Sequence, residues 1–125
     1  MHRTKPTQSR KILHIEDDAD NREMVRLMLP EHQVTSVGTY AEGLVSAKQD
    51  DFDLYLIDNN LEDGLGVDLC REIRQFDKDT PIVFCSGFTD DGHQRNALSF
   101  GASAFLAKPF DRDGLVSVVE EHLIR

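Results

Sequence analysis

No stretch of this chain approaches the roughly 20 consecutive apolar residues that a membrane-spanning helix needs. No segment repeats another, and no Gly/Pro/Ser-rich linker divides the chain. Cysteine is scarce: Cys70 falls in a helical pattern, Cys85 in a strand run, and there are no others. Their spacing fits no zinc motif, so two buried free thiols are expected rather than a disulfide or a metal site. Basic residues are outnumbered, 14 Lys and Arg against 23 Asp and Glu, for a net charge of -9. That balance makes nucleic acid and anionic membrane poor direct partners, and neither is expected, since both require a basic footprint. The five histidines (His2, His14, His32, His93, His122) are scattered without ligand spacing. His14 lies within a strand run and is expected to be a satisfied core or interface histidine. Residues 1–10 are polar and lack the apolar region of a signal peptide. They are read as a flexible lead-in, and a cytoplasmic location is expected.

The remaining residues, 11–125, read as one domain, long enough to bury a core without staples. Four short apolar runs stand out: Ile12 to Ile15, Leu54 to Ile57, Ile82 to Cys85 and Ala104 to Ala107. Each is followed at once by a polar group: Glu16-Asp17, Asp58, Ser86 and Lys108-Pro109. Bounded by turn signals and alternating with helical patterns, such runs predict buried parallel strands. Gln33 to Val37 adds a further strand. Helices are predicted over Asp20 to Leu29 (apolar face Met24, Val25, Met28, Leu29), from Thr39-Glu42 to Lys48 (Leu44, Val45, Ala47) and over Val67 to Phe76 (Val67, Leu69, Cys70, Ile73, Phe76). A weaker one spans about Asp90 to Phe100, stopped by Gly101, and a last one is capped by Asp111 and buries Leu115, Val118, Val119 and Leu123.

A β-α order five times over, with right-handed crossovers, leaves a doubly wound open sheet as the economical solution. A flavodoxin-like strand order of 2-1-3-4-5, with helices on both faces, puts the switch point between the first and third strands. Glu16, Asp17, Asp58, Ser86 and Lys108 would then share one crevice. Carboxylates so crowded need compensation. A magnesium ion, which takes oxygen ligands and usually binds one or two carboxylates plus a phosphate, would supply it. The pattern points to phosphoryl chemistry, with Asp58 as an aspartyl-phosphate nucleophile, Lys108 as a point charge for the phosphoryl oxygens and Ser86 as a hydroxyl donor.

From about Arg10 to Arg125 the chain resembles the receiver domain of two-component response regulators, of the chemotaxis-regulator type. The matching segments are KILHIEDDADN, DLYLIDNNLEDGLGVDLCREIR, TPIVFCSG and FGASAFLAKPF, in that order. The resemblance implies that Asp58 accepts a phosphoryl group from a histidine kinase or histidine phosphotransfer protein. Asp17 would hold Mg2+ directly and Glu16 through water, with Asp58 and the backbone carbonyl of Asn60 completing the protein ligands. Ser86 and Phe105 match the hydroxyl and aromatic switch positions, Lys108 the phosphate-binding lysine, Gly66 the loop glycine, and Pro109 a cis peptide. Asn60 and Phe88 fall where the family tunes dephosphorylation. The implied switch surface is the face of the fourth helix, fifth strand and last helix, roughly Asp90 to Ile124. It would act on a downstream protein or output domain, as a monomer or a phosphorylation-dependent dimer. The implied protein is a switch that catalyses its own phosphotransfer and dephosphorylation, not a metabolic enzyme.

Four residues after Asp58 the family often carries proline; here that residue is Glu62, which leaves the loop geometry open. The chain also reads as a receiver module cut from a longer regulator with a DNA-binding or enzymatic output. A small phosphohydrolase with an aspartyl-phosphate intermediate is disfavoured, since Glu16-Asp17 replaces the usual Asp-x-Asp after the first strand. A phosphorylation-independent interaction domain is disfavoured by the complete set of pocket residues.

Overall fold

A computed structural model describes residues 9–87 and 98–123. Five strands form one parallel sheet: β1 (Lys11–Ile15), β2 (Gln33–Val37), β3 (Leu54–Asp58), β6 (Ile82–Ser86) and β7 (Ala104–Ala107). Their spatial order is β2-β1-β3-β6-β7. Counting these five alone, that is the anticipated 2-1-3-4-5. The two-residue strands β4 (Asn60–Leu61) and β5 (Gly64–Leu65) form a separate antiparallel hairpin. The segment after Asp58, read from sequence as a loop, therefore carries regular pairing around a turn at Glu62 and Asp63.

The helices are α1 (Ala19–Met28), α2 (Tyr40–Gln49), α3 (Gly66–Arg74) and the C-terminal helix, Arg112–Leu123. Alternation along each strand divides the core in two. Leu13, Ile15, Tyr55, Ile57 and Phe84 pack with Leu69, Cys70 and Ile73 of α3 and Ala47 of α2. On the opposite face, Ile12, Leu54, Leu56, Val83 and Cys85 pack with Val25 and Leu29 and with Leu115, Val119 and Leu123. Both faces of β3 and β6 are buried, which is why these strands read as unbroken apolar runs.

Helix ends follow local chemistry. Asp18 caps α1, its side chain accepting from Asp20 N and Asn21 N. Thr39 Oγ1 accepts from Glu42 N at 3.0 Å, and Asp111 Oδ1 from Gly114 N at 2.8 Å. Gly101 turns the chain at φ +110°, a conformation that favours glycine. There Arg74 Nε donates to its carbonyl at 2.9 Å. Most of the anticipated Asp90 to Phe100 helix lies outside the described residues, as do Phe88, His2 and His93.

Three side chains assigned to apolar helix faces are instead exposed: Met24 (45%), Val45 (50%) and Phe76 (43%). Residues adjacent in a helix point about 100° apart; on α1 Val25 takes the inward position and Met24 turns out, and on α2 Leu44 packs on the core while Val45 turns out. On α2 the close approach falls at Gly43, where a Cβ would lie 2.7 Å from Ile15 Cδ1. Phe76 lies beyond the end of α3, under Lys48, whose ammonium is 5.8 Å from the ring centre. Cys70 and Cys85 are free and buried, as anticipated.

Candidate functional site

Strand register assembles the site. Ile15 pairs with Ile57, so Glu16 leaves β1 level with Asp58. Asp58 pairs with Cys85, which puts Ser86 one residue further along. Ser86 pairs with Ala107, which puts Lys108 one residue further again. The polar groups descend as a staircase across the carboxyl edge of the sheet, and the long Lys108 side chain reaches back over it. Lys108 Nζ lies 2.6 Å from Asp58 Oδ1 and 2.8 Å from Glu16 Oε1. Backbone bonds brace the steps: Lys108 N donates to Ser86 O at 2.8 Å, Asn59 N to Cys85 O at 3.0 Å and Glu16 N to Val37 O at 3.0 Å.

Glu16, Asp58 and Ser86 are buried, while Asp17 is exposed. One carboxylate oxygen from each of Glu16, Asp17 and Asp58 lies within 4.8 Å of the others. Burial pushes the Asp58 carboxyl above its ordinary value, the nearby Glu16 charge adds to this, and the Lys108 ammonium and Asn60 N–H oppose it. Asp17 is raised too, by desolvation and by its hydrogen bond with Glu16. Burial works to lower the Lys108 pKa, but its bonds to Asp58 and Glu16 outweigh this and hold it firmly protonated. Asp58 Oδ2 accepts from Asn60 N at 3.1 Å and Glu16 Oε2 from Asp18 N at 3.1 Å, so both carboxylates are held by backbone as well as by the ammonium. Hard oxygen donors with one exposed member are the set that suits a partly hydrated divalent cation.

Of the residues named from sequence, Glu16, Asp17, Asp58 and Lys108 are brought together, with Ser86 and Asn60 beside them. Gly66 lies behind Asp58: a Cβ there would overlap the Asp58 carbonyl oxygen, and Gly66 N donates to Asn59 O at 2.7 Å. The Lys108-Pro109 bond is cis. Phe105 is half-buried on β7 with its ring centre 6.1 Å from that of Phe84. His14 differs from expectation. It is buried beside the site, yet its Nδ1 has no partner among the described residues. Burial, reinforced by Lys108 and Arg22, holds its pKa down to about 3, so it is neutral.

Sequence reading missed Arg22, whose Nη1 donates to Glu16 O at 2.7 Å from the second turn of α1. It also missed a cavity of about 270 Å3 between Glu16 and Lys108 on one side and Met24, Val25, Pro109 and Phe110 on the other. The exposed Met24 lines it. No motif marks either feature: the Arg22 bond depends on how α1 folds back on the end of β1, and the cavity on where α1 lies against the segment after β7.

A family model of the response regulator receiver domain matches residues 12–120. The chain belongs to the response regulator receiver domain family. This receiver is 32% identical over 109 residues to the cell cycle transcriptional regulator CtrA of Caulobacter vibrioides, covering 86% of this chain and 47% of that protein. It thus spans about half the length of the curated relatives it matches. A two-component response regulator from Clostridium difficile superposes with a TM-score of 0.88 at 30% identity, over 94% of this receiver and 98% of that chain. The chemotaxis response regulator CheY4 of Vibrio cholerae gives 0.87 at 26% identity, over 94% and 100%. Among the described residues no helix is long and apolar enough to cross a membrane.

Proposed function

We propose that this receiver is a phosphorylation switch in which Asp58 accepts a phosphoryl group from the phosphohistidine of a kinase or phosphotransfer protein. One observation supports this above the others. Three carboxylates converge within 4.8 Å, and a lysine ammonium bonds both buried members at 2.6 and 2.8 Å. An Asp58 oxygen would form the new P–O bond as the P–N bond breaks, its electron pair returning to the imidazole. Asp58 is buried with its carboxylate oriented by Lys108 and by Asn60 N–H, which lowers the cost of aligning it for in-line attack. Its raised pKa marks a group held ready for charge compensation at the site.

Asp17, Asp58 and the Asn60 carbonyl would hold Mg2+, with Glu16 acting through water. When bound, Mg2+ would neutralise charge developing on the phosphoryl oxygens. Lys108 would transfer part of its bonding from the carboxylates to the phosphoryl group. Ser86 would donate its hydroxyl to a phosphoryl oxygen, and Phe105 would follow that movement on the neighbouring strand. Asn60 and Phe88 would set access of water to the product. The readout surface would be the face from Asp90 to Ile124, of which residues 98–123 are described. In this reading the lead-in 1–10 takes no part, the switch acts in the cytoplasm, and its output is a partner protein or an attached output domain. Both forms have counterparts: the curated relatives are about twice this length, while CheY4 of Vibrio cholerae is covered whole.

Treatment with acetyl phosphate and Mg2+ should add one phosphoryl group, on Asp58, and Asp58→Asn should remove the labelling. Intact-mass and peptide mass spectrometry after borohydride trapping checks this. Labelling on another residue of the wild-type protein, or labelling retained by Asp58→Asn, would contradict the assignment.

A further inference from the structure

The hairpin that follows Asp58 contains Gly64 and is followed directly by Gly66, and the chain has no proline between Asp58 and Pro81. Its own sequence therefore does little to restrict it. Its geometry is tied to another element through Asp63 in its turn, whose partners lie 22 and 23 positions away. Asp63 Oδ1 accepts from Tyr40 N at 2.7 Å and Asp63 Oδ2 from Ala41 N at 3.1 Å. These are the first two N–H groups of α2, which no residue of that helix can satisfy. Thr39 satisfies the next two, through Oγ1 to Glu42 N and through its carbonyl to Gly43 N at 3.0 Å. The α2 N-terminus is thus completed half by its local cap and half by the hairpin.

Two further contacts close the latch. The Tyr40 ring lies against Gly64, where a Cβ would sit 2.6 Å from its Cδ2, and the Tyr40 hydroxyl bonds Glu72 on α3. The hairpin tip is therefore clamped between α2 and α3. At its other end the hairpin begins with Asn60, whose N–H donates to Asp58. The charge of Asp63 suits the positive end of the helix dipole. Its donors hold its carboxyl below the ordinary value, so it is ionised at neutral pH.

We propose that Asp63 is a positioning residue: by anchoring the Asn60–Leu65 hairpin to the N-terminus of α2, it sets the main chain after Asp58 for metal binding and phosphoryl transfer. This rests on the functional reading above. Asp63 touches no reacting atom; it acts through the backbone of Asn60 and through the orientation of the Asp58 carboxylate.

Titration calorimetry with Mg2+ alone, followed by acetyl phosphate labelling, tests it on the full chain. Outer-shell partners that orient metal ligands are typically worth 10- to 100-fold in affinity. Asp63→Ala is therefore expected to weaken Mg2+ binding by about tenfold, at the lower end of that range. Asp63→Asn has one oxygen where two are used, and is expected to fall between Asp63→Ala and wild type. Thr39→Ala removes the local cap of the same helix without touching the hairpin, and Glu62→Gln removes a charge one residue away without touching the latch. Both are expected to bind Mg2+ as wild type does, although Thr39→Ala will melt lower.

Wild-type affinity in Asp63→Ala overturns the proposal. So does an equal loss in Thr39→Ala, which would assign the effect to α2 stability, or an equal loss in Glu62→Gln, which would assign it to charge. If Asp63→Ala does not fold, Asp63→Asn against the same two controls decides. A wild-type protein that binds Mg2+ but is not labelled on Asp58 would overturn the functional reading while the metal titrations still decide the role of Asp63. One that binds no Mg2+ would overturn both.

Discussion

Asp58 is placed in an environment that disfavours its own charge. It is buried, it faces Glu16, and Lys108 and one backbone N–H only partly offset this. Its carboxyl is consequently raised in the folded protein. A raised pKa contributes stability while the group is protonated, below the unfolded value of about 4, and loses it as pH rises through the folded value. At pH 7 the ionised carboxylate therefore works against folding. Without metal, Asp58→Asn is expected to melt a few degrees above wild type at pH 7, with the gap closing below about pH 4. Thermal melts followed by circular dichroism across pH 3 to 8 check this; a variant that melts below wild type at pH 7 would contradict it. The polar identity of Glu16, Asp58, Ser86 and Lys108 was legible because each directly follows an apolar run. Arg22 and Asp63 were not, since their partners lie outside any local pattern: the Glu16 carbonyl for one, two N–H groups on another element for the other.

At the scale of elements, close approach decides what composition leaves open. Gly66 opens α3 directly behind Asp58, and any side chain there meets the backbone of Asp58 rather than the movable end of a side chain. Gly66→Ala is expected to cost about 3 kcal/mol, the upper end for an overpacked core, and to shift Asp58 with it. Urea unfolding and Mg2+ titration should fall together; a stable variant with normal metal binding would show that α3 can move. Helix existence and the caps at Thr39 and Asp111 were readable. The buried faces were readable only in part. Met24, Val45 and Phe76 are as apolar as their buried neighbours; the way α1 and α2 meet the sheet turns the first two outward, and Phe76 falls past the end of α3.

Across the whole molecule, the sheet separates two cores and gathers the site at one edge, where three carboxylates add to a net charge of -9. At the far side of the fold the chain is tied differently. Buried His32 accepts from Arg10 N at 3.1 Å, so its Nε2 carries the proton donated to Glu120 of the C-terminal helix at 2.9 Å. A ligand that binds only the folded state stabilises it by mass action, about 2.7 kcal/mol at a concentration 100 times its dissociation constant. Saturating Mg2+ is therefore expected to raise the melting temperature by roughly 5 to 10 °C. Asp17→Asn, which changes an exposed carboxylate without disturbing the core, should abolish most of that rise if the proposed site holds the metal. An undiminished rise in Asp17→Asn would place the metal elsewhere.

The sequence by itself determined the strands, their alternation with helices, the sheet order and the gathering of the acidic residues, Ser86 and Lys108 at the carboxyl edge. Hydrophobic periodicity and residues at chain turns are local signals, and a parallel α/β topology admits few arrangements of them. Only the tertiary structure decided that Lys108 bonds both Glu16 and Asp58, that Arg22 braces the first of these, and that Asp63 completes α2. Those contacts join residues as many as 92 positions apart, and their geometry is set by strand register and helix placement together.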